Sequence, residues 1–541
     1  MTPGTWTIEK IAFELERLEP PSPSVGWFCT YTPEEVLIAF GLCPVRIFGT
    51  GEHVREADAY LPTNLCPYVR SCLDGFLQGR YDSLAGVVMT TSCNAMCHLH
   101  SVWGGPLRQG PGGEGRDGTF FAHILDVPRI LSEPAVEYYK FQVRRFIARC
   151  REFFAFSPPE DIAIPQDITI PPTISSPLES TARGGMRPCR EGAHVGRLAS
   201  SEDENPSCQG GAIFGIDAHA GGPAPSEDEN TFGRGRSIFG IDDREKLRLW
   251  DAIRLCEETR ALLHELYELR KLPNPPITGR EALKIVKMAM SHDKRAFNQV
   301  MRQVVEAMRL GAVQEATAGA GTFRGKNLSI GGVREAPLGS PCNGKIAPCN
   351  EEIGMGVSTT ATGTSTGAVR GKGRPRILVA GSLCPDAVIE LIEDAGGLVV
   401  MDDLCAGLRY FWDGPTGEGE FPWKAGFTGG GAEQPGFGGG LDFDGDPVEY
   451  LARRYLWKPP CARMRDSAKR FELIWRLAGE FKIDGVVFYA LKFCDPYLYD
   501  APLLKSYLEK QHIPMLLLEG DYTAGSAGQL RTRIEAFLEM L

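Results

Sequence analysis

The sequence predicts an α/β protein built from two parallel-sheet domains. Three observations carry this. Strand-then-helix patterns run through the first third of the chain and return in the last third. A strongly helical block lies between them, and several of the strand patterns end on a cysteine. Strands alternating with helices imply parallel sheets with right-handed crossovers, and such sheets collect ligands at the carboxyl ends of their strands.

Composition narrows the possibilities. A chain of 541 residues exceeds what one core supports, so more than one domain is expected. A net charge of −11 argues against nucleic acid or an anionic membrane as partner. No apolar run reaches the roughly 18 residues of a membrane span. The start, MTPGTWTIEKIAFELERLEP, lacks a basic region followed by an apolar one, so a cytoplasmic protein is expected. Cytosolic thiols stay reduced, so 16 cysteines call for metal or redox chemistry in some of them. The others read as small buried residues.

In order, residues 1–23 form an N-terminal segment with one amphipathic helix, Thr5 to Leu18, stopped by Pro20, Pro21 and Pro23. The first α/β domain spans 24–156. TPEEVLIAFG reads as a helix with Thr32 as N-cap, Pro33 at the first turn and Gly41 as terminator. CPVRIFG from Cys43 is a strand, as are Leu84 to Met89, running into Cys93, and Phe121 to Pro128; Val136 to Ala155 is a helix. Residues 157–243 are a low-complexity insertion containing a duplication: SEDEN at Ser201 recurs at Ser226, and AIFGID at Ala212 recurs as SIFGID at Ser237. Two such polar copies cannot stack into a solenoid, and the segment is expected to be disordered. Residues 244–310 keep apolar spacings of three and four and form the helical linking block. Residues 311–375 are a Gly/Ser/Thr-rich insertion. The second α/β domain is 376–541: RILVAG, LVVMDD, GVVFYAL and PMLLLEG are its strands, and DAVIELIED, 466–481, Tyr499 to Gln511 and QLRTRIEAFLEML its helices.

Three thiols stand out: Cys66 on a Pro-flanked turn, Cys93 at the end of one strand, and Cys494 at the end of an equivalent strand far along the chain. Delivered this way they suggest a metal site that the two domains face across. No CxxC pair occurs, so a local zinc knuckle is excluded. Cys384 and Cys405 also lie at strand ends and read as buried thiols; Cys72, Cys97, His98 and His100 read as packing residues, and Cys189, Cys208, Cys342 and Cys349 fall in the insertions.

The motifs YTPEEVLIAFGLCPVRIFG, LPTNLCPYVRSCLDG, ETRALLHELYELRKLPNPPITGREAL, DDLCAGLRYF and DGVVFYALKFCDPYLYDAPLLKSYLEKQHIPMLLLEGDYTAGSAGQLRTRIEAFLEML occur in one order. In them the chain resembles the 2-hydroxyacyl-CoA dehydratase and benzoyl-CoA reductase family, which includes 2-hydroxyglutaryl-CoA dehydratase subunits. The resemblance implies two Rossmann-like domains facing each other across a [4Fe-4S] cluster held by Cys66, Cys93 and Cys494. Three thiolates leave one iron open for substrate or water. It implies an ATP-dependent iron–sulfur activator protein and a related dehydratase subunit or second copy as partners, with an acyl-CoA substrate. Dehydration then follows one-electron reduction to a ketyl radical; the reductase branch keeps the electrons, and a non-catalytic cluster-bearing partner or electron relay is a third role. Thr32 and Glu34 lie where the family's pocket helix begins and are the weaker catalytic candidates. Gln529, Arg531 and Arg533 match the family's tail, where helix packing competes with contact to CoA phosphate.

Overall fold

The computed structural model describes residues 6–18, 22–104, 120–154, 239–318, 373–412, 445–465, 467–523 and 527–541. Both low-complexity insertions fall largely outside them, so the expectation of disorder there, and the four cysteines at 189, 208, 342 and 349, lie outside the described residues.

Two four-stranded sheets, parallel throughout, organise the chain. The first comprises β1 (Ser24–Trp27), β2 (Cys43–Arg46), β3 (Leu84–Thr90) and β4 (Phe121–Leu125), in the order β2-β1-β3-β4. The second comprises β5 (Arg376–Gly381), β6 (Leu398–Asp403), β7 (Gly485–Leu491) and β8 (Met515–Gly520), in the order β6-β5-β7-β8. The two orders are the same, so each sheet is a Rossmann-like half with its strand order reversing between its first and third strands. Sheets covered on both faces need continuous apolar strands. In β7 every residue is buried, and in β3 all but Ala85 are.

Glycine serves two close approaches. At Gly86 a Cβ would lie 2.4 Å from the Phe121 carbonyl oxygen of β4. Gly381, with φ of 133°, ends β5 where a Cβ would lie 1.9 Å from the Tyr489 carbonyl oxygen of β7. Only glycine lets the backbones of the second switch point come this near.

Around the first sheet pack α2 (Glu34–Ala39), α3 (Pro67–Leu77), α4 (Asn94–Gly104) and α5 (Glu133–Phe153), while α1 (Ile8–Leu18) packs on the linking block. The linking block is α6 (Asp243–Glu268), α7 (Gly279–Ser291) and α8 (Lys294–Ala318). Asp242 with Glu245 and Thr278 with Glu281 form capping boxes that start α6 and α7. The second sheet carries α9 (Asp386–Asp394), α10 (Leu408–Phe411), α11 (Pro447–Trp457), α12 (Ser467–Glu480), α13 (Asp495–Lys510) and α14 (Ala527–Glu539). Among the described residues no helix is long and apolar enough to cross a membrane.

The linking block is wedged between the sheets. Helix α7 packs on β2 of the first and on β6 of the second, and α6 touches α2, α10 and α11. Tyr267 on α6 donates to Asp402 at 2.6 Å, and Arg270 donates to the Val399 carbonyl at 2.5 Å. A second tie runs from α5 to α11, where Arg144 meets Asp446 at 3.1 Å and Glu133 meets Arg453 at 2.9 Å.

Several local expectations are corrected. Thr32 is not an N-cap: α2 begins after Pro33, and Thr32 is spent in the preceding turn, where its amide donates to the Cys29 carbonyl at 2.9 Å. Strand β1 was hidden because four residues are too few to show a period. Helices α3 and α4 each begin directly after a cysteine, and α13 begins at Asp495 rather than Tyr499, because Pro496 fits a first helical turn. Helix α8 runs past residue 310 to Ala318.

Candidate metal centre

Cys66, Cys93 and Cys494 are placed by one device. Each is the residue immediately before a helix: Cys66 before α3, Cys93 before α4, Cys494 before α13. Cys93 follows the carboxyl end of β3 and Cys494 that of β7, equivalent strands in the two sheets. Phe493 takes a φ of 60°, a left-handed conformation unusual for phenylalanine, and this bends the chain between β7 and Cys494.

The three thiols lie within electrostatic reach of one another. Burial pushes the Cys93 thiol up to about 12, and the nearby Cys66 adds to the shift while the Met96 amide opposes it. Burial likewise raises Cys494, with Cys66 and Cys93 as the next causes, and the Tyr497 amide opposing. Cys66 is raised by burial against the amides of Val69 and Tyr68, with Cys405 contributing. The charges of the three thiols that the sequence singled out thus act on one another.

It also adds three more. Cys405 follows β6 and acts on both Cys66 and Cys494. Its sulfur accepts from Arg409 Nη1 at 3.4 Å and lies 3.7 Å from Tyr497 Oη. Cys461, between α11 and α12, is raised by burial and by Cys405, and its sulfur accepts from the Arg463 amide at 3.4 Å. Cys29 follows β1. Burial would raise it, but a hydrogen bond with Ser92, the Tyr31 amide and the charges of Arg46 and Lys458 bring it below the ordinary thiol value. Burial holds the Lys458 ammonium down to about 7, against the pull of Cys29, Cys405 and Cys461.

The set is thus Cys29, Cys66 and Cys93 from the first domain with Cys405, Cys461 and Cys494 from the second. Each keeps some accessible surface, whereas Cys43, Cys72, Cys150, Cys256 and Cys384 are buried. Cys384 follows β5, the counterpart of β1, yet its charged neighbours are Asp386, Lys287 and Asp402 rather than any of the six. Cys405 was read as a buried thiol, and Cys29 and Cys461 carried no signal, since each is a lone cysteine with no second ligand at a metal-binding spacing. Among the described residues no three His, Cys, Asp or Glu close tightly enough to grip a single ion. Thiolates spread round a space are the soft donors of iron–sulfur, copper(I) and zinc clusters.

Glu34 is 1% exposed, paired with Lys294 at 2.9 Å and bonded by Tyr410 Oη at 2.6 Å. Thr32 Oγ1 is buried without a hydrogen-bond partner. His98 is exposed on α4, and burial lowers the pKa of His100. Arg533 donates to the Leu517 carbonyl of β8 at 2.7 Å and Arg531 lies 3.8 Å from Asp394, so this tail helix packs onto the sheet.

Twin parallel-sheet domains with thiols converging from the ends of their strands define a cysteine-rich α/β protein with a candidate metal centre between its sheets. The chain belongs to the family described as "2-hydroxyglutaryl-CoA dehydratase, D-component", whose sequence model matches residues 29–156, 239–328, 351–425 and 436–541, well over half of the chain. The match skips 157–238, within the first insertion, but only 329–350 of the second. Among curated relatives, the chain is 30% identical over 174 residues to an Escherichia coli K12 protein named "Putative dehydratase subunit YjiM", covering 31% of this chain and 38% of that one. It is 38% identical over 96 residues to the (R)-phenyllactyl-CoA dehydratase beta subunit of Clostridium sporogenes, covering 18% and 25%. With the lactoyl-CoA dehydratase subunit beta of Anaerotignum propionicum it shares 29% identity over 102 residues, covering 19% and 27%. These matches therefore span less than half the length of each relative.

Proposed function

We propose that the chain is the iron–sulfur subunit of an ATP-activated 2-hydroxyacyl-CoA dehydratase. The observation that carries this reading is the set of six free, part-buried thiols on loops of both domains, four of them (Cys29, Cys93, Cys405 and Cys494) shortly after strands and Cys66 and Cys461 on connections that lead into helices. Family membership supports the reaction class. The donor set fits an iron–sulfur centre: it is all sulfur, it surrounds a space instead of a point, and amides at the first turns of α3, α4 and α13 stabilise the thiolate form of Cys66, Cys93 and Cys494. When bound, the centre would supply one low-potential electron to the thioester carbonyl, giving a ketyl radical anion that expels the 2-hydroxyl before the electron is recovered. The protein's own part is to hold the cluster, tune it by hydrogen bonds to sulfur such as Arg409 to Cys405, and exclude water. An ATP-dependent activator, a related subunit or second copy, and the acyl-CoA are the partners of this reading, in a reducing cytoplasm.

The number of thiols favours a second reading of the centre. One [4Fe-4S] cluster with an open iron takes three of them, so six provide for a larger centre, and a centre ligated on every side suits electron relay better than substrate binding. Anaerobic purification with iron and sulfide analysis tests both readings. About four irons per chain match one cluster on Cys66, Cys93 and Cys494, and about eight match a centre that uses all six thiols. Fewer than about three in fresh protein sink the iron–sulfur reading. Loss of water from a 2-hydroxyacyl-CoA in the presence of an ATP-dependent activator then separates dehydratase from relay, and hydride-level reduction of the acyl group marks the reductase branch.

A further inference from the structure

We propose that Arg46, seconded by Lys458, is the built-in counter-charge for the bound iron–sulfur centre on its Cys29 side and raises the centre's reduction potential. This rests on the iron–sulfur reading above and concerns residues that reading does not use.

Arg46 is the last residue of β2 and is 4% exposed. Its guanidinium lies over the Trp27 ring at 4.6 Å and near Phe48 at 5.9 Å. Nε and Nη1 have no hydrogen-bond partner, and among the described residues no carboxylate pairs with it. The other deeply buried arginines are matched. Arg260 pairs with Glu35, Arg409 with Asp403, Arg454 with Glu257 and Arg470 with Asp403 and Asp500, while Arg270 donates to the Val399 carbonyl and its charge meets the nearby Asp402 carboxylate. Lys294, equally buried, has Glu34. Lys458 is the other exception: it is 3% exposed, donates to the Thr30 carbonyl, and sits 4.4 Å from the Tyr31 ring centre with no carboxylate partner among the described residues.

The two cations sit against the residues on either side of Cys29, Arg46 over the Trp27 ring and Lys458 bonded to the Thr30 carbonyl and over the Tyr31 ring, and the charge of each acts on Cys29. The surroundings add donors without acceptors. Trp27 Nε1, on the ring beneath Arg46, is buried and unpartnered, as is Thr32 Oγ1, three residues beyond Cys29. An isolated buried cation is among the most unfavourable groups a fold can contain, and it persists where an anion arrives to meet it. A cluster of thiolates and bridging sulfides is anionic as a whole and gains further negative charge on reduction, so fixed cations beside it favour the reduced form.

The test loads the full chain anaerobically with iron and sulfide and compares wild type with Arg46→Gln, Arg46→Lys and Lys458→Met. Iron per chain, the midpoint potential by spectroelectrochemical titration, and melting of loaded and iron-free protein are read. Arg46→Gln is expected to take up iron but to shift the one-electron equilibrium against reduction about tenfold, ~59 mV downward. Arg46→Lys keeps the charge and stays near wild type. In iron-free protein Arg46→Gln is expected to melt above wild type, since an unmatched charge has been removed, and the order reverses in loaded protein. Equal iron with an unmoved potential in Arg46→Gln overturns the proposal alone, as does an Arg46→Lys shift equal to that of Arg46→Gln. A shift seen only with acyl-CoA present assigns the counter-ion to the substrate and also overturns it. Wild type that takes up no iron overturns the iron–sulfur reading itself. Should Arg46→Gln fail to fold, Lys458→Met is read by the same criteria.

Discussion

The Glu34 carboxylate and the Lys294 ammonium pair at 2.9 Å with each side chain 1% exposed, joining α2 of the first domain to α8 of the linking block. Tyr410 of the second domain adds a 2.6 Å hydrogen bond to the same carboxylate. Next to it Glu35 pairs with Arg260 of α6 and accepts from Tyr455 of α11 at 2.8 Å. Two adjacent glutamates thus tie three parts of the chain together. Removing one partner of such a pair strands a buried charge, at roughly 3–5 kcal/mol. Glu34→Gln and Lys294→Met are each expected to destabilise by about that much, and the double variant to regain most of it, as measured by denaturant unfolding in a double-mutant cycle. Additive losses would show that the two residues do not act as a pair.

Iron content divides the cysteines. Serine at Cys66, Cys93 or Cys494 is expected to lower iron per chain, and serine at Cys29, Cys405 or Cys461 to lower it in the same way if the centre spans all six. Serine at Cys72, which is buried, or at Cys384, whose charged neighbours are Asp386, Lys287 and Asp402, should leave iron unchanged. Elemental analysis of the eight variants decides this. An unchanged iron content in each of Cys66→Ser, Cys93→Ser and Cys494→Ser would remove the assignment.

Uptake should also depend on pH. Burial pushes the Cys93 thiol up to about 12 and raises Cys66 and Cys494, so folded, iron-free protein keeps these protons at neutral pH. Metal binds the thiolate, so loading releases protons and tightens as pH rises. A titration of iron affinity between pH 6.5 and 9 in weakly buffered solution, with proton release followed by indicator, checks it. Affinity that is flat over this range contradicts the prediction.

His123 on β4 is 5% exposed and stacks on Phe146 at 4.9 Å, and burial, aided by Arg145 and Arg149, lowers its pKa to about 3. The unfolded chain takes up a proton near pH 6.5 that the folded chain refuses. The stability contributed is therefore present above about pH 6.5 and is lost as pH falls toward 3, by at most about 1.4 kcal/mol per pH unit. His123→Phe should flatten the decline in melting temperature between pH 7 and pH 4. Parallel curves for variant and wild type would contradict this.

Gly381→Ala is expected to lose on the order of 3 kcal/mol, because φ is 133° and the new Cβ would meet the Tyr489 carbonyl at 1.9 Å. Gly41 has a φ of 73° but open space, so Gly41→Ala should cost less. Denaturation midpoints of the two variants compare them directly, and a smaller loss at Gly381 would contradict the packing account.

Much of the architecture was legible because its signals are local. The runs GVVMT and GVVFYAL are too apolar for anything but strands buried on both faces, and capping signals such as those at Thr278 need only four residues. Strand β1 and helices α3 and α4 were not legible. Four residues show no period, and helices that begin directly after a cysteine lack the Ser, Thr, Asp or Asn cap that marks a helix start in sequence.

The sequence by itself determined the two parallel α/β sheets and the family, and it singled out Cys66, Cys93 and Cys494 as candidates, since strand pattern and motif are properties of neighbouring residues. Only the tertiary structure shows which other cysteines lie near them. Cys29, Cys405 and Cys461 are separated by long stretches of chain and carry no shared motif, yet the packing of the linking block against both sheets brings their charges within reach of one another. Cys384, with an equally good strand-end position, is turned toward Asp386 and Lys287 instead. The same packing left Arg46 buried without a carboxylate. Neither fact can be read from spacing, because charge and proximity between distant segments exist only once the chain has folded.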